Sequence, residues 1–159
     1  KEELITPKVF PAGRTHSTYA ANPIGTRAGY EVMSIFDEER KELESEIARK
    51  GAKFLDGLKA LEKKYKNIGT VNGLGFALSV EVTESDRFTP ARELCDEIIE
   101  AGLKGDLTYK GKKCGLILNN GGYFKNIITL VPQLYISDEE IDMALELMDQ
   151  LFDRYMEKA

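Results

Sequence analysis

The apolar residues of this chain change period once, near Asn67, and that change limits the architectures open to it. Upstream, Leu43, Ile47, Phe54, Leu58 and Leu61 recur at three-, four- and seven-residue intervals, which is one face of an α-helix. Downstream, Val71, Leu74, Phe76, Leu78, Val80 and Val82 alternate or run together, which predicts a strand. Asn67-Ile68-Gly69 ends the helix between them. The reading continues with helices over about 23–36, 37–66 and 89–101, the last closed by Gly102 and Gly105. Leu116-Ile117-Leu118 and Ile127–Leu130 read as two strands, with Asn119-Asn120-Gly121-Gly122 as the turn of a hairpin. Ser137 and Glu140 form a capping box for a final helix whose stripe is Ile141, Leu145, Met148, Phe152 and Tyr155. From Thr70 onward, helices on one face of a small, largely antiparallel sheet are expected, an α+β arrangement. The expected domain boundary lies near Asn67, giving residues 1–66 and 67–159.

The segment ahead of the first helix carries the chemistry. Arg14-Thr15-His16-Ser17-Thr18-Tyr19 precedes Asn22-Pro23, an N-cap followed by a residue suited to the first helical position. Hydroxyls beside the free N–H groups and positive end of a helix suit an anion such as phosphate. A plain helix start is the other reading of the same residues. Gly73 and Gly75 allow the backbone to bend or to approach a neighbour; no helix follows directly, so they make a poor phosphate loop.

Composition removes several classes. A net charge of −5 is unlike a nucleic-acid binder, in which a basic patch is expected. The apolar runs are too short for a transmembrane helix. Cys95 and Cys114 are far apart and the chain has one His, which argues against a metal site and for two reduced thiols in a cytosolic protein. The charges between Glu39 and Lys50 form a solvated helix face.

Ser17-Thr18-Tyr19-Ala20-Ala21-Asn22-Pro23 also resembles the Ser-Thr-(Phe/Tyr)-x-x-Asn-Pro segment of class III (ornithine/4-aminobutyrate-type) aminotransferases. The resemblance continues through Val71–Phe76, Cys114–Leu118 and Ile127–Leu134, then the Ser-Asp-Glu-Glu helix start, and covers nearly all of the chain in the order of that family's C-terminal portion. It implies the end of the large domain (1–66) and the small C-terminal α+β domain (67–159) of a fold type I enzyme. It implies pyridoxal phosphate as cofactor, a homodimer, and a small-molecule amino donor and keto acid as substrates. Thr18, with Ser17 beside it, would hold the cofactor phosphate of the neighbouring subunit. Tyr19 would line the cofactor or substrate pocket, or else pack at the subunit interface. Gly25, Ala28 and Gly29 would permit close packing of the first helix on the remainder of such an enzyme.

Two departures qualify these implications. The family's Schiff-base lysine lies in a Gly-rich stretch some tens of residues before the Ser-Thr segment, whereas sixteen residues precede Ser17 here and Lys1 and Lys8 sit in no such context. The expectation is therefore a piece of a longer transaminase, cytoplasmic and inactive alone. A non-catalytic binding or dimerisation module with the same fold is the alternative. Second, many members carry an Arg on the strand before a Pro-Pro-Leu corner, where it grips the substrate α-carboxylate. Thr129 stands at that place and Gln133 at the second Pro. A Thr offers no planar, permanently charged fork, so the carboxylate clamp is lost or comes from elsewhere. Thr129 is then either a substrate-pocket residue of altered specificity or an ordinary β-branched strand residue, and 2-oxoglutarate is not to be assumed as acceptor. His16, Arg27, Asn119 and Asn120 have simpler roles open to them: a loop residue beside the true ligand, an ion pair, and turn formers.

Overall fold

The computed structural model describes residues 22–159; His16, Ser17, Thr18 and Tyr19 lie outside them. The described residues divide into two units, one ending at Lys41 and the other running Glu42–Ala159. Helix α1 is recorded over Pro23–Lys64, where two helices were expected. No Gly or Pro interrupts Phe36–Arg40, so nothing there stops a helix. In the first unit, Asn22 caps α1 as its sequence predicts, its Oδ1 accepting from the N–H groups of Ile24 (3.0 Å) and Gly25 (3.1 Å). Arg27 pairs with Glu31 and lies 5.2 Å from the Tyr30 ring centroid, the structural ion pair expected of it.

The second unit adds strands β1 (Ile68–Leu74) and β2 (Ala77–Val82), helix α2 (Arg92–Leu103), strands β3 (Leu107–Tyr109), β4 (Lys112–Cys114), β5 (Asn119–Gly121) and β6 (Ile127–Leu130), and helix α3 (Asp138–Tyr155). The single strand expected over 71–82 is a hairpin. Gly75 and Phe76 form a two-residue turn, Leu74 pairs with Ala77, and Gly75 takes φ +56° at the first turn position. β1, β2, β6 and β5 form an antiparallel sheet in that order, and β3–β4 is a separate hairpin that the sequence reading lacks. Asn119–Gly121, expected as a turn, is strand β5, while Leu116–Leu118 runs into it as irregular chain.

One face of the four-stranded sheet builds the core. Leu78, Val80, Val82 and Ile128 are buried with Phe54 and Leu58 of α1, Cys95 and Ile98 of α2, and Ile141, Met148 and Phe152 of α3. Tyr65 stacks edge-on to Phe152 at 5.8 Å, and its hydroxyl donates to Asp149 Oδ1 at 2.7 Å. Burial, then this carboxylate, push the Tyr65 pKa up to about 12. The capping box is present: Ser137 Oγ accepts from the Glu140 N–H, and Glu140 Oε2 accepts from the Ser137 N–H at 2.7 Å. No described helix is long and apolar enough to cross a membrane.

A charge cluster ties α1 to α3. The Arg49 guanidinium donates to Glu46 (3.1 and 3.2 Å) and to Asp138 (2.8 and 3.1 Å), and Lys53 reaches Asp142 at 2.7 Å. Hydrogen bonds from Arg49, and then from Lys50 for Glu46 and Lys53 for Asp138, hold both the Glu46 and Asp138 carboxyls down to about 2. Both values lie below the ordinary 4.5 and 3.8, so the folded chain binds fewer protons than the unfolded chain as pH falls. Their contribution is fully present above about pH 5 and is lost as pH falls toward 2. Urea midpoints measured from pH 6 to pH 2.5 should fall, and less steeply in an Arg49→Met variant. The cluster is exposed, so added salt should flatten the difference. Equal slopes in the two proteins would remove the cluster from acid stability.

Candidate functional site

Strand alternation sets the second face of the sheet. On β2, Leu78, Val80 and Val82 are buried, which turns Ala77, Ser79 and Glu81 the other way. On β6, Ile128 is buried and Thr129 exposed. On β5, Asn120 points to the helical side, donating from Nδ2 to Asp96 Oδ1 of α2 at 2.7 Å, so Asn119 lies on the open side. Pairing then aligns four polar residues across four strands. Asn72 is opposite Ser79, Ser79 opposite Thr129, and Thr129 opposite Asn119. Directly opposed residues have Cβ atoms about 5 Å apart, so Thr129 and Asn119 lie within reach of one small ligand group, while Ser79 stands on the other side of Thr129.

The row has hydrogen-bonding capacity to spare. The Ser79 hydroxyl donates only weakly, to the Asn72 carbonyl at 3.5 Å, and Asn72 Nδ2 donates to Thr70 Oγ1 at 3.3 Å. Among the described residues the side chains of Thr129 and Asn119 form no hydrogen bond. Gly121 makes room for the Thr129 hydroxyl, since a Cβ there would sit 3.0 Å from Oγ1.

Thr129 stands on a ridge between two depressions. One, of about 350 Å³, lies on the open face against Asn72, Ala77, Ser79 and Val131. The other, of about 280 Å³, opens at the end of the sheet between Phe54 of α1, Leu118, Asn119, Pro132 and Met148 of α3. Among the described residues, neither is lined by Lys, Arg, His, Asp or Glu. The charge two residues along β2 on the open face is the Glu81 carboxylate. The described lining can hydrogen-bond neutral groups and enclose apolar ones.

Of the site residues expected from sequence, Thr129 is on this face, while Ser17, Thr18 and Tyr19 lie outside the described residues. Asn72, Ser79 and Asn119 went unnoticed as companions of Thr129. The signal for two of them was available: a two-residue turn at Gly75-Phe76 counts outward to an Asn72–Ser79 pair. Among the described residues no group of three or more His, Cys, Asp or Glu converges as a metal site. Neither depression is lined by a lysine among the described residues.

The family model described as aminotransferase class-III matches residues 4–152. The chain belongs to the class-III aminotransferases. The chain is 34% identical over 146 residues to the 4-aminobutyrate aminotransferase GabT of Escherichia coli (strain K12), covering 91% of this chain and 32% of that protein. It thus spans about a third of the length of the curated relatives it matches. A Bacillus anthracis aminotransferase structure superposes with TM-score 0.70 at 22% identity, over 89% of this chain and 30% of the other. An amine transaminase from an uncultivated Pseudomonas species, in a PLP-bound form, superposes with TM-score 0.68 at 20% identity, over 91% and 30% of the two chains. The mixed helix and sheet architecture is therefore that of a portion of a class-III aminotransferase, as the sequence resemblance implies.

Proposed function

We propose that this chain is the C-terminal portion of a pyridoxal-phosphate-dependent transaminase, which moves an amino group between an amine or amino acid and a keto acid. The class-III match over residues 4–152 is the observation that carries this reading. Residues 1–66 would complete a large domain and 67–159 form a small one, in a cytosolic homodimer. Pyridoxal phosphate, when bound, supplies the electron sink for amino-group chemistry. This chain's part is to bind and orient. Thr18, with Ser17, would donate hydrogen bonds to the cofactor phosphate across the dimer interface, and Tyr19 and Thr129 would wall the substrate pocket. The lysine that anchors the cofactor comes from outside this chain, which is inactive alone.

Two measurements test this. Pyridoxal phosphate titrated into the 159-residue chain, followed by borohydride reduction and intact-mass analysis, should leave no stable lysine adduct. A stoichiometric adduct on one lysine would instead make the chain a cofactor-binding protein in its own right. In the full-length gene product, Thr18→Ala removes a hydrogen bond to a charged group and should weaken pyridoxal phosphate binding about 10- to 100-fold. An unchanged dissociation constant would remove Thr18 from the phosphate site.

A further inference from the structure

The geometry points to a specificity device at the end of the sheet: Thr129 and Asn119 hold an uncharged polar group of the donor amine, and the notch they line takes its apolar carbons. This rests on the transaminase reading and adds the substrate class. Three observations support it. The first is the register, which puts two neutral hydrogen-bonding side chains side by side on the paired strands β6 and β5. Thr129 and Asn119 have no partner among the described residues, and Gly121 leaves the Thr129 hydroxyl uncrowded.

The second is charge. A carboxylate brought to Thr129 would lose water and find no cation among the described residues that line either depression, while Glu81 on the same face opposes it. Burying an unpaired anion costs far more than burying a hydroxyl or amide that finds partners. An alcohol, ether or primary amide fits: Asn119 both donates and accepts, and so does the Thr129 hydroxyl. The third is shape. The notch behind Asn119 is walled by Phe54, Leu118, Pro132 and Met148, and its roughly 280 Å³ matches a chain or ring of about nine heavy atoms. The preferred donor is thus a primary amine with an apolar body and a neutral polar end. A carboxylate-ended donor of equal length is selected against.

The test compares four-carbon donors on the full-length gene product loaded with pyridoxal phosphate: 4-aminobutanol, 4-aminobutanamide, butylamine and 4-aminobutyrate, with pyruvate as acceptor. The neutral polar donors should exceed 4-aminobutyrate in kcat/KM by about ten-fold or more. Asn119→Ala and Thr129→Ala should each raise KM for the alcohol and amide about three- to ten-fold, as loss of one hydrogen bond does. That rise should exceed any change for butylamine, whereas a merely structural role would affect all donors alike. Thr129→Arg should reverse the order in favour of 4-aminobutyrate. A wild-type preference for 4-aminobutyrate, or equal effects of the alanine variants on all four donors, would overturn the inference. If no donor turns over, the transaminase reading falls, and the row is then judged by binding alone. Butanamide titrated into the 15N-labelled chain should shift the Asn119 side-chain amide and the Thr129 N–H, and butyrate should not. Absence of those shifts would overturn the row as well.

Discussion

Replacing Gly51 by alanine should destabilise the chain, by about 2 kcal/mol, although Gly→Ala inside a helix ordinarily stabilises by up to ~1 kcal/mol. Gly51 is buried in the middle of α1, and the β1–β2 turn lies directly on it. A Cβ at Gly51 would overlap the Gly75 carbonyl oxygen and come within 2.7 Å of its carbon and 2.8 Å of its Cα. These are backbone atoms of a turn whose glycine sits at φ +56°, so they cannot swing aside as a side-chain end would. Overpacking of this kind costs about 1–3 kcal/mol, more than the propensity gain returns. The melting temperature should fall by roughly 4–8 °C. Gly29 is the control. It is exposed on the same helix with no neighbouring atom within 4 Å, so Gly29→Ala should be neutral or slightly stabilising. A stabilised Gly51→Ala protein would mean the hairpin does not rest on α1, and the placement of Asn72 and Ser79 would go with it.

That glycine also marks how much was legible in the sequence. The helical stripe of Leu43, Phe54, Leu58 and Leu61 and the Ser137–Glu140 capping box depend on neighbours within a turn or two, and both are present. Gly51 reads as a weak spot in a helix because its reason, a turn more than twenty residues on, is not local. Asn119-Asn120-Gly121 carries turn chemistry yet is a strand, because pairing with Ile127–Thr129 outweighs its propensity. Thr129 was legible through resemblance as the residue standing where an Arg is common. Its companions were not, since which residues face it depends on the register of three strand pairs. The missing charge is a sequence fact; the neutral row that takes its place is a structural one.

The register itself is open to a sharp test on two consecutive residues. Ile128 is fully buried, opposite Val80 and Asn120, whereas Thr129 next to it is exposed between Ser79 and Asn119. Ile128→Ala removes buried methyl and methylene groups from a packed core and should cost about 2–5 kcal/mol, depending on how far the core closes on the cavity. Thr129→Ala trims a solvent-exposed side chain and should change stability by no more than about 0.5 kcal/mol. A slip of one residue in the pairing of β6 would exchange these faces and reverse the two results. Urea denaturation of both variants reads the difference directly. The same pair separates fold from function in the full-length gene product. Thr129→Ala should leave the melting temperature in place while changing donor preference, and Ile128→Ala should lower the melting temperature without selecting among donors. A Thr129→Ala protein as unstable as Ile128→Ala would turn Thr129 into the core and remove it from the substrate face.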